Sequence, residues 1–144
     1  MNISENITNL LAAMHGLQLD IVDASKDNQA HNYKYADLGQ ILQLARPLLH
    51  EHGLVALQSA SGGEDCISVT TTVCHVESGE FFSDTLTMPV GEARGMSRAQ
   101  AAGSVITYAR RYALATSLGI TQVDDDAAPA KTSTESQTDE KELW

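Results

Sequence analysis

The sequence predicts an α+β domain: two N-terminal helices, a three-stranded antiparallel meander and one long C-terminal helix, followed by a disordered acidic tail. Three observations predict it. Apolar residues recur at helical spacing before Gly53, and β-branched runs punctuated by turns follow from Leu54 to Met88. The chain then returns to an Ala-rich helical block ending at Gly119. Helices, then strands, then a helix is the order of an α+β domain. A length of 144 residues fits one domain, assigned to 1–123, with 124–144 as the tail.

The first helix is expected over residues 3 to 17, where Ile3, Ile7, Leu10, Leu11, Met14 and Leu17 share helical spacing. Asp20 to Lys34 is polar and is expected to be irregular. Asp37 can cap a second helix running to His52, with Leu38, Ile41, Leu42, Ala45, Leu48 and Leu49 as its buried stripe and Gly53 as its end. Pro47 falls inside that pattern and should kink it or begin a new turn. Leu54 to Ala60 reads as a strand, and Ser61 to Glu64 as a turn. Cys66 to Val76 is a second strand with Ile67, Val69 and Val73 on one face. Glu77 to Glu80 is a tight turn, and Phe81 to Met88 a third strand. Ser97 and Gln100 form a capping-box pattern at the start of the long helix. After Val123 seven acidic and two basic residues, with almost no apolar content before Leu143-Trp144, cannot bury enough surface to order themselves.

Composition excludes several classes. No run of 18 apolar residues exists, so no helical membrane span is expected. The start, MNISENITN, lacks a basic stretch followed by an apolar one, so no secretory signal is expected, and the protein is placed in the cytoplasm. Cys66 and Cys74 lie in one strand, cannot pair with each other there, and read as buried thiols in a reducing compartment. The five histidines show no metal-ligand spacing. No GxxxxGK[ST], GxSxG, HExxH or CxxC occurs, so neither a Walker-type ATP site nor a familiar hydrolase motif is visible. No cofactor is expected. Asp124-Asp125-Asp126 has the ligand type for Mg²⁺, but three consecutive carboxylates in a polar tail do not converge on one ion.

The charge distribution is the informative feature. The chain carries a formal net charge of -10, yet Arg94, Arg98, Arg110 and Arg111, four of its five arginines, fall in a block with no Asp or Glu between Glu92 and Asp124. Such a block suits an anion site, because exposed charges farther than about 8–10 Å are screened at physiological salt. On a helical projection Ala102, Val105, Ala109, Tyr112 and Ala113 share one face; Arg110 and Arg111 lie on the other half with Leu114 and Leu118. One side is expected against the chain's own sheet and the second against another subunit. An Ala-rich core helix with two solvated arginines is an equal reading. Upstream, Tyr33 and Tyr35 would point to one side of an extended segment beside Lys34, suited to stacking bases and meeting a phosphate. Equally, both rings can pack on the core while Lys34 snorkels outward.

Two stretches resemble a known family. Tyr33-Lys34-Tyr35-Ala36-Asp37-Leu38, then Arg46-Pro47-Leu48-Leu49 and Gly53-Leu54, resemble the N-terminal pattern of the ERF (essential recombination function) family of phage single-strand annealing proteins. Ser97-Arg98-Ala99-Gln100-Ala101-Ala102-Gly103-Ser104, running into Thr107-Tyr108-Ala109-Arg110-Arg111-Tyr112-Ala113-Leu114, resembles its most recognisable signature. The resemblance spans roughly Lys26 to Asp126. It implies ATP-independent binding of single-stranded DNA, annealing of complementary strands in phage homologous recombination, a β-β-β-α core, and homo-oligomeric rings or filaments. A phage exonuclease or a host single-strand-binding protein is the further partner it suggests. It does not say which arginines touch DNA. The DNA-binding candidates are Tyr33, Lys34, Tyr35, Arg94, Arg98, Arg110 and Arg111. Two other readings compete: an assembly protein whose arginines make salt bridges between subunits, and a small metal-dependent nuclease using the Asp cluster.

Overall fold

A computed structural model describes residues 1–30, 37–92 and 94–121, with residues 22–30 described by their backbone alone. The elements run β1 (Asn2–Ile3), α1 (Thr8–Ala30), α2 (Leu38–Glu51), β2 (Leu54–Gly63), β3 (Cys66–His75), β4 (Phe81–Pro89) and α3 (Arg98–Leu118). The sheet is antiparallel in the order β1-β4-β3-β2, so the expected meander of β2, β3 and β4 is extended by one short edge strand. Among the described residues no helix is long and apolar enough to cross a membrane.

The start of the chain departs from expectation. Ile3 does not begin a helix; it pairs with Phe82 while Asn2 pairs with Ser83, and Ser4 continues the contact through its amide to the Phe81 carbonyl at 2.9 Å. The helix starts at Thr8 because a distant residue caps it. The buried carboxylate of Glu80 accepts from the Leu10 amide at 2.9 Å and from the Asn9 side chain at 3.4 Å, placing a negative group where free N–H donors and the helix dipole favour one. The helix also outruns its expected end at Leu17 and continues to Ala30 through the segment expected to be irregular. The apolar spacing supports this: Leu10, Met14, Leu17 and Ile21 are all buried, while Leu11 is exposed.

α2 follows the sequence closely. The Asp37 carboxylate accepts from the Gln40 amide at 2.8 Å, and Ile41, Ala45 and Leu49 are its buried line. Pro47 lies on the exposed side and the helix passes through it as one element. The Asp20 carboxylate holds the C-cap His52 ring at 2.6 Å, tying α1 to the end of α2. Gly53 follows with φ +67, a value that suits a residue without Cβ.

β2 runs three residues longer toward its turn than expected, because Gly63 pairs with Cys66 across a two-residue Glu64-Asp65 turn; β3 starts at Cys66 as expected. Ile67, Val69 and Val73 point inward as expected, and Thr71 shares their face, buried but accepting a bond from the Gln58 side-chain amide at 2.9 Å. The opposite face is polar. Ser68, Thr70 and Thr72 pair their hydroxyls with Thr87, Thr85 and Ser83 at 2.8–3.0 Å, the solvated face of a one-sided antiparallel sheet. Cys66 and Cys74 belong to this face; both are free and only half-buried, so the expectation of buried thiols is corrected.

α3 lies on the inner face. Ala109 is fully buried, with Ala102, Val105 and Ala113 packed beside Ile67 and Val69. The other apolar line corrects the expectation of a subunit contact. Leu114, Ala115 and Leu118 are buried with Leu10, Leu17, Ile41 and Leu49, so α1 and α2 of the same chain cover that side. The helix begins with the expected capping box and ends at Gly119, φ +75, beyond which buried Ile120 donates to the Ala115 carbonyl at 2.9 Å.

Candidate nucleic-acid interface

The arginine block does not form one cluster. Twelve residues separate Arg98 from Arg110 on a continuous helix, about 18 Å along its axis. The result is two basic stations, one at the start of α3 and one near its far end.

The first station is a cleft of about 690 Å³ lined by Arg94, Met96, Ser97, Arg98, Asp65 and Glu92, among others. The Ser97 hydroxyl accepts from the Gln100 amide at 3.1 Å and the Gln100 side chain accepts from the Ser97 amide at 2.9 Å. This box consumes two first-turn donors and leaves the Arg98 and Ala99 amides at the positive end of the helix dipole. Arg98 forms an ion pair with Asp65, which the β2–β3 turn presents at φ +54. Both partners are exposed, Arg98 at 88% and Asp65 at 63%, so water and salt screen the pair and an incoming phosphate can exchange with the carboxylate. Arg94 is exposed and has no ion-pair partner among the described residues. Glu92 and Asp65 balance the two arginines within this cleft.

The second station is built around Arg110. Its Nε donates to the Gln58 side-chain oxygen at 3.3 Å, while the Gln58 amide donates back to the Arg110 carbonyl at 3.0 Å. The guanidinium is thereby fixed over β2. Arg111 turns away and lies against two rings of its own helix, 4.8 Å from the Tyr112 centroid and 5.4 Å from that of Tyr108. The rings themselves are 4.4 Å apart and tilted at 45°. Cation–π contact of this kind fixes the guanidinium against the ring pair. Tyr108 is 42% exposed, so this pair presents an aromatic surface beside a charge.

Tyr33, Lys34 and Tyr35 lie outside the described residues, as does the acidic tail. Two contributors were not among the sequence candidates. Arg46, the fifth arginine, projects from α2 into the groove that Arg110 lines, and Asp65 guards Arg98. Arg46 stands in an ordinary amphipathic helix, in a stretch that carries the family resemblance but lies far in sequence from the arginine block. Only the packing of α2 beside β2 and α3 brings it to Arg110.

No curated protein and no solved structure matches the chain. A family model does: that of the ERF superfamily matches residues 10–143, in line with the resemblance carried by the Thr107–Leu114 run. The chain belongs to the ERF superfamily.

Proposed function

We propose that the protein binds single-stranded DNA and anneals complementary strands without ATP, in phage homologous recombination. The observation that carries this reading is the family match across residues 10–143, since membership implies a role in single-strand annealing recombination in general terms. The arrangement of arginines supports it. Annealing makes and breaks no covalent bond. It requires the phosphates to be held while base edges stay free to test a second strand. Exposed guanidinium groups at a helix start serve that requirement. Arg94 and Arg98 would meet phosphates at the mouth of α3, Arg98 by exchanging Asp65 for the incoming anion. Arg110 and Arg111 would extend the path, with Tyr108 available to a base. Tyr33, Lys34 and Tyr35 belong to the same proposal.

Self-assembly into a ring or filament is the second part. One subunit offers few phosphate contacts, so useful affinity requires linked subunits. The sheet supports this, for β2 is its terminal strand and runs from Leu54 to Gly63 without a charged residue or proline. A long uncharged edge is a template for pairing with another chain. The acidic tail would keep such subunits soluble or recruit an exonuclease or a host single-strand-binding protein.

The test is annealing of two complementary oligonucleotides without nucleotide cofactor, with fluorescence anisotropy on a labelled single strand and particle imaging for rings. Absence of binding at low salt refutes the DNA reading and favours an assembly protein; binding unchanged in Arg94→Ala/Arg98→Ala removes the start of α3 from the DNA path. Shortening of the strand in Mg²⁺ favours a nuclease instead.

A further inference from the structure

We propose that the groove between α2, β2 and α3 is a nucleotide site, in which Arg46 and Arg110 clamp one backbone phosphate and the aliphatic wall covers the attached base. The proposal rests on the single-strand reading and assigns it a second contact point away from the start of α3. The groove has a volume of about 360 Å³ and is open to solvent along one side. Arg46 and His50 enter it from α2, one turn apart; Arg110 enters from α3. Among the described residues no carboxylate lines it, which contrasts with the balanced cleft at the first station and with the -10 charge of the chain.

Arg110 is the better-prepared half of the clamp. Gln58 takes its Nε and its carbonyl, and Gln58 is itself anchored on the buried Thr71 hydroxyl. The guanidinium is therefore oriented before a ligand arrives, with its terminal Nη groups left for a phosphate, in the forked geometry that suits one. Arg46 is exposed and can swing in from the rim. The C-terminal end of α2 carries the negative pole of the helix dipole near His50, so the phosphate belongs nearer Arg46 and Arg110 than His50. The apolar part of the lining argues for more than a bare anion. Val55 and Val76 are exposed at 36% and 66%, and Leu54 and Leu49 lie beneath. Among the described residues no Phe, Tyr or Trp lines the groove and the His50 imidazole is its one ring, so the base would gain burial chiefly against aliphatic surface, which suits binding without sequence preference.

The experiment uses the full chain, NMR titration with thymidine 5′-monophosphate or inorganic phosphate, and anisotropy on a short labelled oligo(dT). The variants are Arg46→Gln and Val76→Glu, both at exposed positions, checked for an unchanged thermal melt. The monophosphate is expected to shift the Leu49, Val55 and Gln58 amides and the Arg110 Nε–H, while inorganic phosphate shifts the Arg110 signal alone. Each variant is expected to weaken oligo(dT) binding about tenfold at low salt, and Arg46→Gln to reduce the log–log salt slope by about 0.7. If wild type binds oligo(dT) and both variants bind it equally well, the groove proposal falls and the single-strand reading stands. If the two small probes produce the same shifts, the site is one for simple anions and the proposal falls. If wild type binds no oligonucleotide at low salt, both readings fall together.

Discussion

Replacing Asp65 by Asn isolates the competition for Arg98. In the folded chain Asp65 occupies the position a phosphate would take, paired with Arg98 at the mouth of α3. The substitution removes the charge and keeps the shape. It also suits the turn, since Asn tolerates the left-handed φ of +54 at least as well as Asp, and the Asp65 carbonyl keeps its bond from the Val90 amide at 2.9 Å. The magnitude follows from exposure. With Arg98 at 88% and Asp65 at 63%, the pair is a screened surface pair worth at most about 0.5–1 kcal/mol. Binding DNA must displace it, so its removal should tighten the dissociation constant by roughly two- to fivefold. Arg98 meets one phosphate in either form, so the log–log salt slope should stay close to that of wild type. Stability should stay within about 0.5 kcal/mol of wild type, as for surface changes away from special features. The assay is anisotropy on a short oligo(dT) across a salt series, with Arg98→Ala and the double variant completing the cycle. The gain should vanish in the double variant. Equal or weaker affinity for Asp65→Asn at low salt, with an unchanged melt, would show that Arg98 does not meet phosphate.

Three further outcomes concern the scaffold that presents the site. Glu80→Gln keeps the bulk but removes the buried charge facing the Leu10 amide, and should cost about 1–2 kcal/mol, read as a fall of roughly 4–8 °C in melting temperature. Gly119→Ala forces a Cβ into φ +75, with the Gln18 side chain 3.4 Å away, and should cost about 1–2 kcal/mol in urea unfolding; an unchanged midpoint would refute the capping role. Gln58→Leu strips partners from the buried Thr71 hydroxyl and from Arg110, and should lower stability by about 1–2 kcal/mol as measured by chemical denaturation. If the groove binds nucleotide, this variant should also lose the monophosphate-induced shift of the Arg110 Nε–H.

What the sequence reveals of this fold is what is local. Asp37, and Ser97 with Gln100, start two helices by their own side chains, Gly53 and Gly119 end them by positive φ, and β-branched runs separated by turn residues mark three strands. The misplaced features each depend on residues far apart in the chain. The start of α1 is set by Glu80, 70 residues beyond Leu10. Ile3 belongs to a strand because β4 has a free edge beside it. Leu114 and Leu118 look like a spare apolar surface on a helical projection; they are used because α1 and α2 fold back over them. The site follows the same division. The arginine block is legible because acids are absent for thirty residues around it, whereas Arg46 and Arg110 come to line one groove only through packing.

The division of the arginines between two stations also limits what one subunit can do. Arg98 sits about 18 Å from Arg110 along α3, and each station would offer about two guanidinium groups to a strand. Even with all nine lysines and arginines engaged, a single chain neutralises at most nine phosphates, giving a salt slope no steeper than about -6 on single-stranded DNA. A measured slope beyond that limit on a long oligonucleotide requires several subunits acting on one strand. The slope should then grow with oligonucleotide length until a whole assembly is occupied. A slope that stays within the limit and is independent of length would mean that each subunit binds alone, and the linked-subunit account of affinity would have to be given up even if annealing itself were observed.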